Sequence, residues 1–374
     1  MKTSALKLST SESPLRSLQA GCWFKLICGA SYQSLPAVRN LALAYALAGA
    51  DCIDVAADPA VVASAQEGLT AATQLAGSSE FSNISRPWLM VSMSAGEDPH
   101  FRKAWFEPAI CPADCPRPCE RICPASAIGS FGVVRDRCYG CGRCLPVCPF
   151  GLIEARSHPT TIDAIAQQVL ARVDALEIHT HVGQLEAFAQ LWKKIEPWTK
   201  HLKLISVSCP DKEGLGGGYL DFVRSLQNII RDIRAPVVWQ TDGRAMSGDI
   251  GKGTTHAAIK LAQKVLNSDI EGYVQLAGGT NQYTVSKLNA LGLLRSRPYV
   301  CPPNRPLGKK ADSLLEMPRS RQVSGLAYGS FARSLLMPTI EQTLYLEEVP
   351  QQLRTAVDLA KSLVDPLKRS ASSG

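Results

Sequence analysis

Cysteine is concentrated in one short stretch of this chain, where eight of the 13 cysteines form two groups of four. In the first group, neighbouring cysteines are separated by three residues; in the second the separations are two, two and three residues. A proline follows the last cysteine of each group. Thiolates this close in sequence can converge on one iron–sulfur cluster, so the pattern predicts two clusters. The predicted metal ligands are Cys111, Cys115, Cys119, Cys123, Cys138, Cys141, Cys144 and Cys148.

The second group has the spacing of a bacterial ferredoxin, in which three cysteines hold one [4Fe–4S] cluster and the fourth binds the neighbouring cluster. We therefore predict crossed ligation. The two predicted ligand sets are Cys123, Cys138, Cys141 and Cys144 for one cluster, and Cys111, Cys115, Cys119 and Cys148 for the other. The first group is longer by one residue in each of its first two gaps, which makes its cluster the less regular of the two.

Zinc binding and disulfide bonds are the alternative uses of clustered cysteines. Zinc sites take four ligands, commonly as two CxxC pairs a dozen or more residues apart, unlike four consecutive close cysteines. Disulfide frameworks are typical of small secreted domains, whereas this chain has 374 residues and no secretory leader pattern. Both alternatives fit the spacing poorly. Five cysteines lack ligand spacing and are expected to be buried or surface thiols: Cys22, Cys28, Cys52, Cys209 and Cys301.

Composition indicates a soluble globular protein, with 45% hydrophobic and 20% charged residues. The longest apolar run, Leu41 to Ala50, is far shorter than the roughly 20 residues that span a bilayer, so no transmembrane segment is predicted. Residues 1–17 are expected to be a disordered leader, and the protein is expected to be cytoplasmic.

The net charge of +7 is concentrated between Arg295 and Arg321, a segment with seven Lys or Arg and two acidic residues, Asp312 and Glu316. This Pro-rich loop is either a solvated insertion or a dock for an acidic partner or a phosphate group. Nucleic-acid binding is not predicted, because no recognition motif accompanies the charge.

Outside the cysteine stretch, short apolar segments alternate with segments of helical period, which predicts a parallel α/β fold. The predicted strands are Cys22–Gly29, Asp51–Ala56, Trp88–Ser94, Ala175–Thr180, Leu202–Ser208, Pro236–Asp242, Gly272–Ala277 and Val323–Gly329. The predicted helices are Leu35–Ala48, Pro59–Leu75, Ile162–Arg172, Gln184–Ile195, Gly218–Asp232, Thr255–Leu266 and Tyr283–Leu291.

Eight strand–helix units predict a TIM-type (β/α)8 barrel with an inserted bacterial 2[4Fe-4S] ferredoxin-like segment. The barrel would comprise residues 18–96 and 157–345, and the insert residues 97–156. Residues 346–374 would form a C-terminal helix and tail. Because the insert follows the third strand, the clusters should lie over the carboxyl end of the barrel.

One phase of the predicted strands carries polar side chains, which face the barrel interior or its mouth. They are Lys25, Asp54, Ser92, Glu177, Ser208, Gln240 and Gln275. They either build a site at the mouth or satisfy one another, with Lys25 as counter-ion to Asp54 or Glu177. His179 and His181 are candidate proton carriers, although structural histidines are commoner.

Glycine-rich loops follow the seventh and eighth predicted strands, where many barrels bind a phosphate through bare backbone amides. The candidate cofactor-binding residues are Gly278, Gly279, Thr280, Gly329 and Ser330. Tight turns are the alternative interpretation. The position resembles the flavin-phosphate site of dihydroorotate dehydrogenase-like barrels. Gly248–Thr254 does not meet the P-loop spacing and is interpreted as a glycine-rich loop.

The paired cysteine groups, the Trp88–Ser94 strand and the Gln240–Gly251 segment together resemble the light-dependent period protein family (LdpA) of cyanobacteria, over nearly the whole chain. The resemblance implies an iron–sulfur protein that passes light or metabolic redox state to the circadian clock. The implied partners are clock histidine kinases and KaiA. Only the eight cysteines are carried over as site residues, and catalytic residues stay unassigned.

Three functions fit these observations. The first is a redox sensor that catalyses nothing. The second is an iron–sulfur flavin-dependent oxidoreductase, with a flavin and a small substrate at the barrel mouth. The third is an electron-transfer subunit of a larger complex. No complete nicotinamide or flavin fingerprint is present, and fold alone does not establish activity, so the sensor is favoured.

Overall fold

The computed structural model describes residues 13–76, 81, 84–96, 101–123, 125–138, 140–157, 166–211, 218–243, 255–295 and 321–370. All eight predicted barrel strands are present in it, within two residues of their predicted ends at most positions. They are β1 (Trp23–Ile27), β2 (Cys52–Ala56), β3 (Trp88–Ser94), β8 (Ala175–His179), β9 (Leu204–Ser208), β10 (Val237–Asp242), β11 (Tyr273–Ala277) and β12 (Gly325–Tyr328).

These strands form a closed parallel barrel in which each pairs with the next barrel strand along the chain and β12 pairs back with β1. The TIM-type fold is therefore confirmed. The register places Ser92 of β3 beside Glu177 of β8, and Glu177 beside Ser206 of β9. Side chains of neighbouring strands that share a phase thus lie side by side within the barrel.

Most of the helices that cover the outside of the barrel bury one apolar face, whereas α2 (Leu35–Leu47) is buried on all sides. In Leu185–Ile195 the buried residues are Phe188, Leu191, Trp192 and Ile195, which repeat with the helical period. The described helices are α1 (Ser13–Ala20), α2 (Leu35–Leu47), α3 (Pro59–Leu75), α4 (Pro118–Ile122), α5 (Leu185–Ile195), α6 (Tyr219–Ile229), α7 (Thr255–Leu266), α8 (Thr284–Ala290), α9 (Ser330–Ile340) and α10 (Pro350–Ser370). In the described part of the chain, no helix has the length and apolarity needed to cross a membrane.

The amino-terminal end of the barrel is closed by α1. Leu18 of this helix is buried against an apolar layer that includes Trp23 and Trp88, whose rings meet edge to face at 5.7 Å. The helix overlaps residues 13–17 of the predicted disordered leader. That boundary is corrected, because burial of Leu18 orders the segment; residues 1–12 lie outside the described residues.

The cysteine-rich insert leaves the carboxyl end of β3 and returns before β8, the strand that pairs with β3. At its base, β4 (Arg102–Trp105) and β7 (Glu154–Ser157) pair antiparallel, and β5 (Ile128–Gly129) pairs with β6 (Gly132–Val133) inside it. The amide of Gln33, in the loop after β1, donates to the carbonyl of Asp136 at 3.0 Å. The insert is thus attached to the mouth of the barrel, as predicted from its position in the sequence.

Two predicted features differ from the structure or fall outside it. Of the predicted helix Ile162–Arg172, the described part is a single π-helical turn at Ala166–Leu170. The basic loop falls outside the described residues except for its ends at Arg295 and Arg321, and so do Cys301 and the segment 244–254. The predicted C-terminal helix is present as α10, which contacts α2, α9 and β1.

Candidate functional site

Four cysteines from two separate turns line one cavity of about 450 Å³ in the insert. They are Cys123, Cys138, Cys141 and Cys144. The first comes from the end of α4, whereas the other three come from the turn that contains Gly140 and Gly142, both at positive φ. The structure therefore brings together the thiols that crossed ligation assigns to one cluster. We call this space the cluster cavity.

The thiols in the cluster cavity act on one another electrostatically. Burial, together with the smaller effects of Cys141, Cys138 and Cys123, raises the pKa of the Cys144 thiol to about 12. Backbone amides point at two of the sulfur atoms: the amide of Ala104 donates to Cys138 Sγ at 3.4 Å, and that of Ala127 donates to Cys123 Sγ at 3.3 Å. Amide donors to cysteine sulfur are among the features that set cluster potentials.

The other four cysteines also form a group. Burial raises the pKa of Cys119, and Cys148 and Cys115 act in the same direction. The pKa of Cys111 is raised by desolvation and then by Cys115 and Cys148. Burial likewise raises the pKa of Cys148, but hydrogen bonds from the backbone amides of residues 150–153 outweigh it and hold that pKa below its usual value. Cys148 therefore lies with the first group in space and has amides that favour its thiolate. Ligation by either set stays a prediction.

The alternatives for these cysteines fit the geometry less well. All twelve described cysteines are free thiols, so the described part of the chain contains no disulfide. Nor, among the described residues, do three His, Cys, Asp or Glu side chains converge closely enough to hold a single metal ion. A tetrahedral zinc site needs sulfur atoms about 3.8 Å apart, given Zn–S bonds of about 2.3 Å. A polynuclear cluster separates its ligands more widely, which suits four cysteines that come from two separate turns.

A buried lysine, which sequence reasoning missed, borders the cluster cavity. Lys103 is 4% exposed, and its ammonium donates to Gln33 Oε1 and to the Arg135 carbonyl, both at 2.7 Å. Burial lowers its pKa, whereas the nearby Cys138 raises it. Lys103 precedes Ala104 in β4, and both residues line the cluster cavity. The lysine therefore brings a positive charge to this cavity. A single lysine in a four-residue strand gives no sequence signal for such a role.

The polar residues of the barrel strands converge inside the barrel, and two of them, Ser92 and Gln240, also line a cavity at its mouth. The Lys25 ammonium donates to Glu177 and lies 3.9 Å from Asp54 Oδ2. Ser206 donates to Glu177 at 2.7 Å and Gln240 donates to it at 2.9 Å. Around Glu177, the structure thus supports the alternative in which these groups satisfy one another.

The same network continues in both directions along the barrel axis. Ser92 Oγ contacts both oxygens of Asp54, at 2.8 and 3.0 Å. Toward the amino-terminal end, Gln275 donates to Gln240 at 2.7 Å and accepts from the Trp23 indole at 2.6 Å. Toward the mouth, Ser208 donates to the buried Asp242.

A second cavity, of about 720 Å³ and partly open to solvent, lies at the mouth of the barrel. We call it the mouth cavity. All five candidate cofactor-binding residues line it: Gly278, Gly279, Thr280, Gly329 and Ser330. Thr280 Oγ1 is already engaged, since it donates to the Ala327 carbonyl at 2.6 Å. Binding of a cofactor by these residues stays a prediction.

The mouth cavity has further polar walls. Its floor includes Ser92, His179, Gln240 and Asp242. His179 Nε2 lies 3.1 Å from Glu177 Oε1, whereas His181 lies outside this lining and pairs its Nδ1 with the Val182 carbonyl at 2.9 Å. Of the two histidines singled out in the sequence, only His179 faces the mouth cavity.

Arg333, which was not among the predicted site residues, lines the mouth cavity and is 5% exposed. Its guanidinium donates to the Ile27 carbonyl at 2.7 Å and to Ser330 Oγ at 3.1 Å. A signal was present: Arg333 lies in the buried phase of α9, three and four residues before Leu336 and Met337. A charge within an apolar helical stripe indicates a buried interaction.

Two family models match this chain. The model of the light dependent period A C-terminal domain matches residues 168–366, and that of the LdpA Fe-S cluster-binding domain matches residues 111–159. The second range contains all eight clustered cysteines, so this part of the chain is an iron–sulfur cluster-binding domain.

Individual relatives agree with these matches. A protein of Synechococcus elongatus, Light dependent period A, is 52% identical over 362 residues, which cover 96% of this chain and 94% of that protein. Among solved structures, thiamine phosphate pyrophosphorylase from Pyrococcus furiosus covers 92% of this chain and 98% of its own, at 9% identity and a TM-score of 0.37. That likeness is too distant to carry an argument about function.

Proposed function

The chain belongs to the light dependent period A family, and we propose that it is an iron–sulfur redox sensor that passes light or metabolic redox state to the cyanobacterial circadian clock. The observation that supports this most is the grouping of thiols in the insert. Cys123 lies with the second group of cysteines and Cys148 with the first, as two clusters with crossed ligands require.

Each cluster would be a [4Fe–4S] centre. Cys123, Cys138, Cys141 and Cys144 would hold the regular cluster, and Cys111, Cys115, Cys119 and Cys148 would hold the second. A bound cluster supplies the capacity to take up or release one electron. The protein contributes amide donors to the sulfur atoms and the buried ammonium of Lys103, all of which favour negative charge at the regular cluster.

The output of the sensor would be a change in affinity for a clock partner, a histidine kinase or KaiA, in the cytoplasm. An electron can shift a binding equilibrium only if the two oxidation states differ in affinity for the partner. A coupling free energy of about 1 to 3 kcal/mol corresponds to a roughly 5- to 150-fold difference in affinity. Changes in charge at the clusters would act on the insert, whose loops are attached to the barrel mouth.

The test has two stages under anaerobic conditions. First, iron and acid-labile sulfide are quantified after reconstitution, and two [4Fe–4S] clusters predict about eight of each per chain. Second, binding to a clock histidine kinase and to KaiA is measured for oxidised and for dithionite-reduced protein. We expect at least a fivefold difference in affinity between the two states for one of these partners.

The matched control carries Cys115→Ala and Cys141→Ala together, which should remove both clusters and with them the dependence of binding on dithionite. One zinc per chain with no iron would refute the cluster assignment. Equal affinities in both oxidation states for every clock partner would leave electron transfer or flavin catalysis as the better account.

The mouth cavity supports one other candidate, an iron–sulfur flavin-dependent oxidoreductase. Five residues in two glycine-containing loops face the same space as His179 and Asp242. A flavin would place its phosphate at Gly279 and Ser330. Acid release and quantification of flavin separates the two functions: about one flavin per chain favours the enzyme, whereas none in fully reconstituted protein favours the sensor.

A further inference from the structure

The mouth cavity and the cluster cavity share a wall. Gly140 and Cys141 line both of them. Gly140 and Gly142 both have φ near +70°, a conformation that side chains rarely adopt, so the turn around Cys141 is held in one shape by its glycines. Anything that fills the mouth cavity therefore lies against the loop that carries one of the predicted ligands of the regular cluster.

One side of the mouth cavity is suited to an anion. Gly278 and Gly279 have φ of +65° and +107°, which allows their backbone to approach a ligand closely. Ser330 begins α9, an 11-residue helix whose amino-terminal end favours negative charge. The buried Arg333 adds a full positive charge beside them.

The opposite side of the mouth cavity is suited to a neutral hydrogen-bonding group. Its floor presents Asp242, Gln240, Ser92 and His179, which are connected to the Glu177 network in the barrel. Asp242 accepts from Ser208 and from Gln240, the latter at 3.2 Å. A second anion at this floor would meet the Asp242 carboxylate, so a ligand with charge at one end fits the cavity best.

We propose that the mouth cavity binds a phosphate-bearing metabolite, and that the Gly140–Cys141 turn couples its occupancy to the oxidation state of the regular cluster. The coupling rests on the sensor function proposed above and adds a ligand to it. The binding site itself does not depend on that function. An electron taken from a one-electron carrier adds negative charge on one side of the shared wall. A phosphate on the other side is repelled, so the oxidised protein binds it more tightly. Reciprocity then requires that the phosphate lower the reduction potential.

The first measurement uses inorganic phosphate as the probe, with anaerobically reconstituted protein in phosphate-free buffer. Its affinity is determined by calorimetry for oxidised and for dithionite-reduced protein. The midpoint potential of the regular cluster is then titrated with and without saturating phosphate. A tenfold difference in affinity corresponds to a shift of about 59 mV to lower potential, and we expect a shift of that order.

Ala30 supplies a pair of variants that differ mainly in charge. It lies in a turn, is half-buried and lines the mouth cavity. Ala30→Asp should weaken phosphate binding about tenfold or more, since the new carboxylate would repel the phosphate. Ala30→Asn has nearly the same shape and should retain most of the affinity. Arg333→Gln should also weaken binding, but it removes the bond to Ile27 and is the less clean variant.

Competition identifies the source of the phosphate. Displacement of inorganic phosphate by flavin mononucleotide would indicate a flavin nucleotide, and displacement only by small phosphate esters would indicate a smaller metabolite; both support the site. Absence of phosphate binding, or equal losses in Ala30→Asp and Ala30→Asn, would overturn it. Binding without a shift in potential would overturn the coupling. Neither result affects the sensor, which is tested by iron content and by partner binding.

Discussion

The ammonium of Lys25 donates directly to the carboxylate of Glu177 across the interior of the barrel, and both side chains are fully buried. Asp54 Oδ2 lies 3.9 Å from the same ammonium. The pair connects β1 to β8, strands that are not neighbours in the barrel. Burial lowers the pKa of Lys25, but Glu177 and Asp54 outweigh it and raise that pKa above its usual value.

Removal of the Glu177 charge should destabilise the barrel strongly. Glu177→Gln leaves the Lys25 ammonium buried with only Asp54 as a nearby carboxylate, and breaking a buried pair costs about 3 to 5 kcal/mol. The free energy of unfolding is measured by urea denaturation. Asp221→Asn is the control: it breaks an exposed pair with Arg224, which should cost less than about 1 kcal/mol. Similar losses in both variants would contradict the importance of the barrel pair.

Asp54 should make stability depend on pH. Burial raises the pKa of its carboxyl to about 7, against the opposing effect of Lys25. Between pH about 4 and about 7 the Asp54 carboxyl then holds up to one more proton in the folded protein than in the unfolded chain. Its contribution makes stability fall as pH rises through this window, by at most about 1.4 kcal/mol per pH unit. Asp54→Asn should flatten that slope in urea denaturation curves recorded from about pH 5 to about pH 7. Asp232→Asn, which changes an exposed carboxylate, should leave the slope intact; an unchanged slope in Asp54→Asn would refute the assignment.

Crossed ligation predicts which cysteine variants resemble one another. Cys123→Ala should lose the same cluster as Cys141→Ala, although it lies among the first four cysteines. Cys148→Ala should likewise resemble Cys115→Ala. Each variant is reconstituted anaerobically, reduced and examined by electron paramagnetic resonance, where about half the signal and half the iron should remain. If Cys123→Ala instead resembles Cys115→Ala, each cluster is held by its own consecutive group and the ligands are not crossed.

Lys103 should raise the reduction potential of the regular cluster. Its ammonium donates to two oxygen acceptors and interacts electrostatically with Cys138. A positive charge near the cluster stabilises its reduced state, which is the more negative of the two. Lys103→Met should lower the midpoint potential on the order of 60 mV, a tenfold change in the equilibrium. Lys264→Met, which removes a half-exposed charge on α7, is the control and should not shift it. A potential unchanged in Lys103→Met would show that the lysine is purely structural.

Much of the architecture was available from the sequence because it depends on local periodicity. Each barrel strand is a short segment whose outward phase is apolar, and each surrounding helix repeats its apolar residues with the helical period. The cysteine groups are local as well, since short turns alone bring Cys138, Cys141 and Cys144 into one cavity. These features need no information about distant parts of the chain.

Tertiary structure decided the pairings between distant residues. The sequence left Asp54 and Glu177 as equal partners for Lys25, and the barrel register brings Glu177, 152 residues away, into direct contact. Arg333 reaches the Ile27 carbonyl at the mouth cavity only because β12, which leads into α9, pairs with β1 when the barrel closes. Residues 13–17 form part of a helix because Leu18 is buried at the amino-terminal end of the barrel. Such contacts are set by closure of the barrel, which brings together side chains that are far apart in the sequence. The local sequence around each of them does not predict its partner.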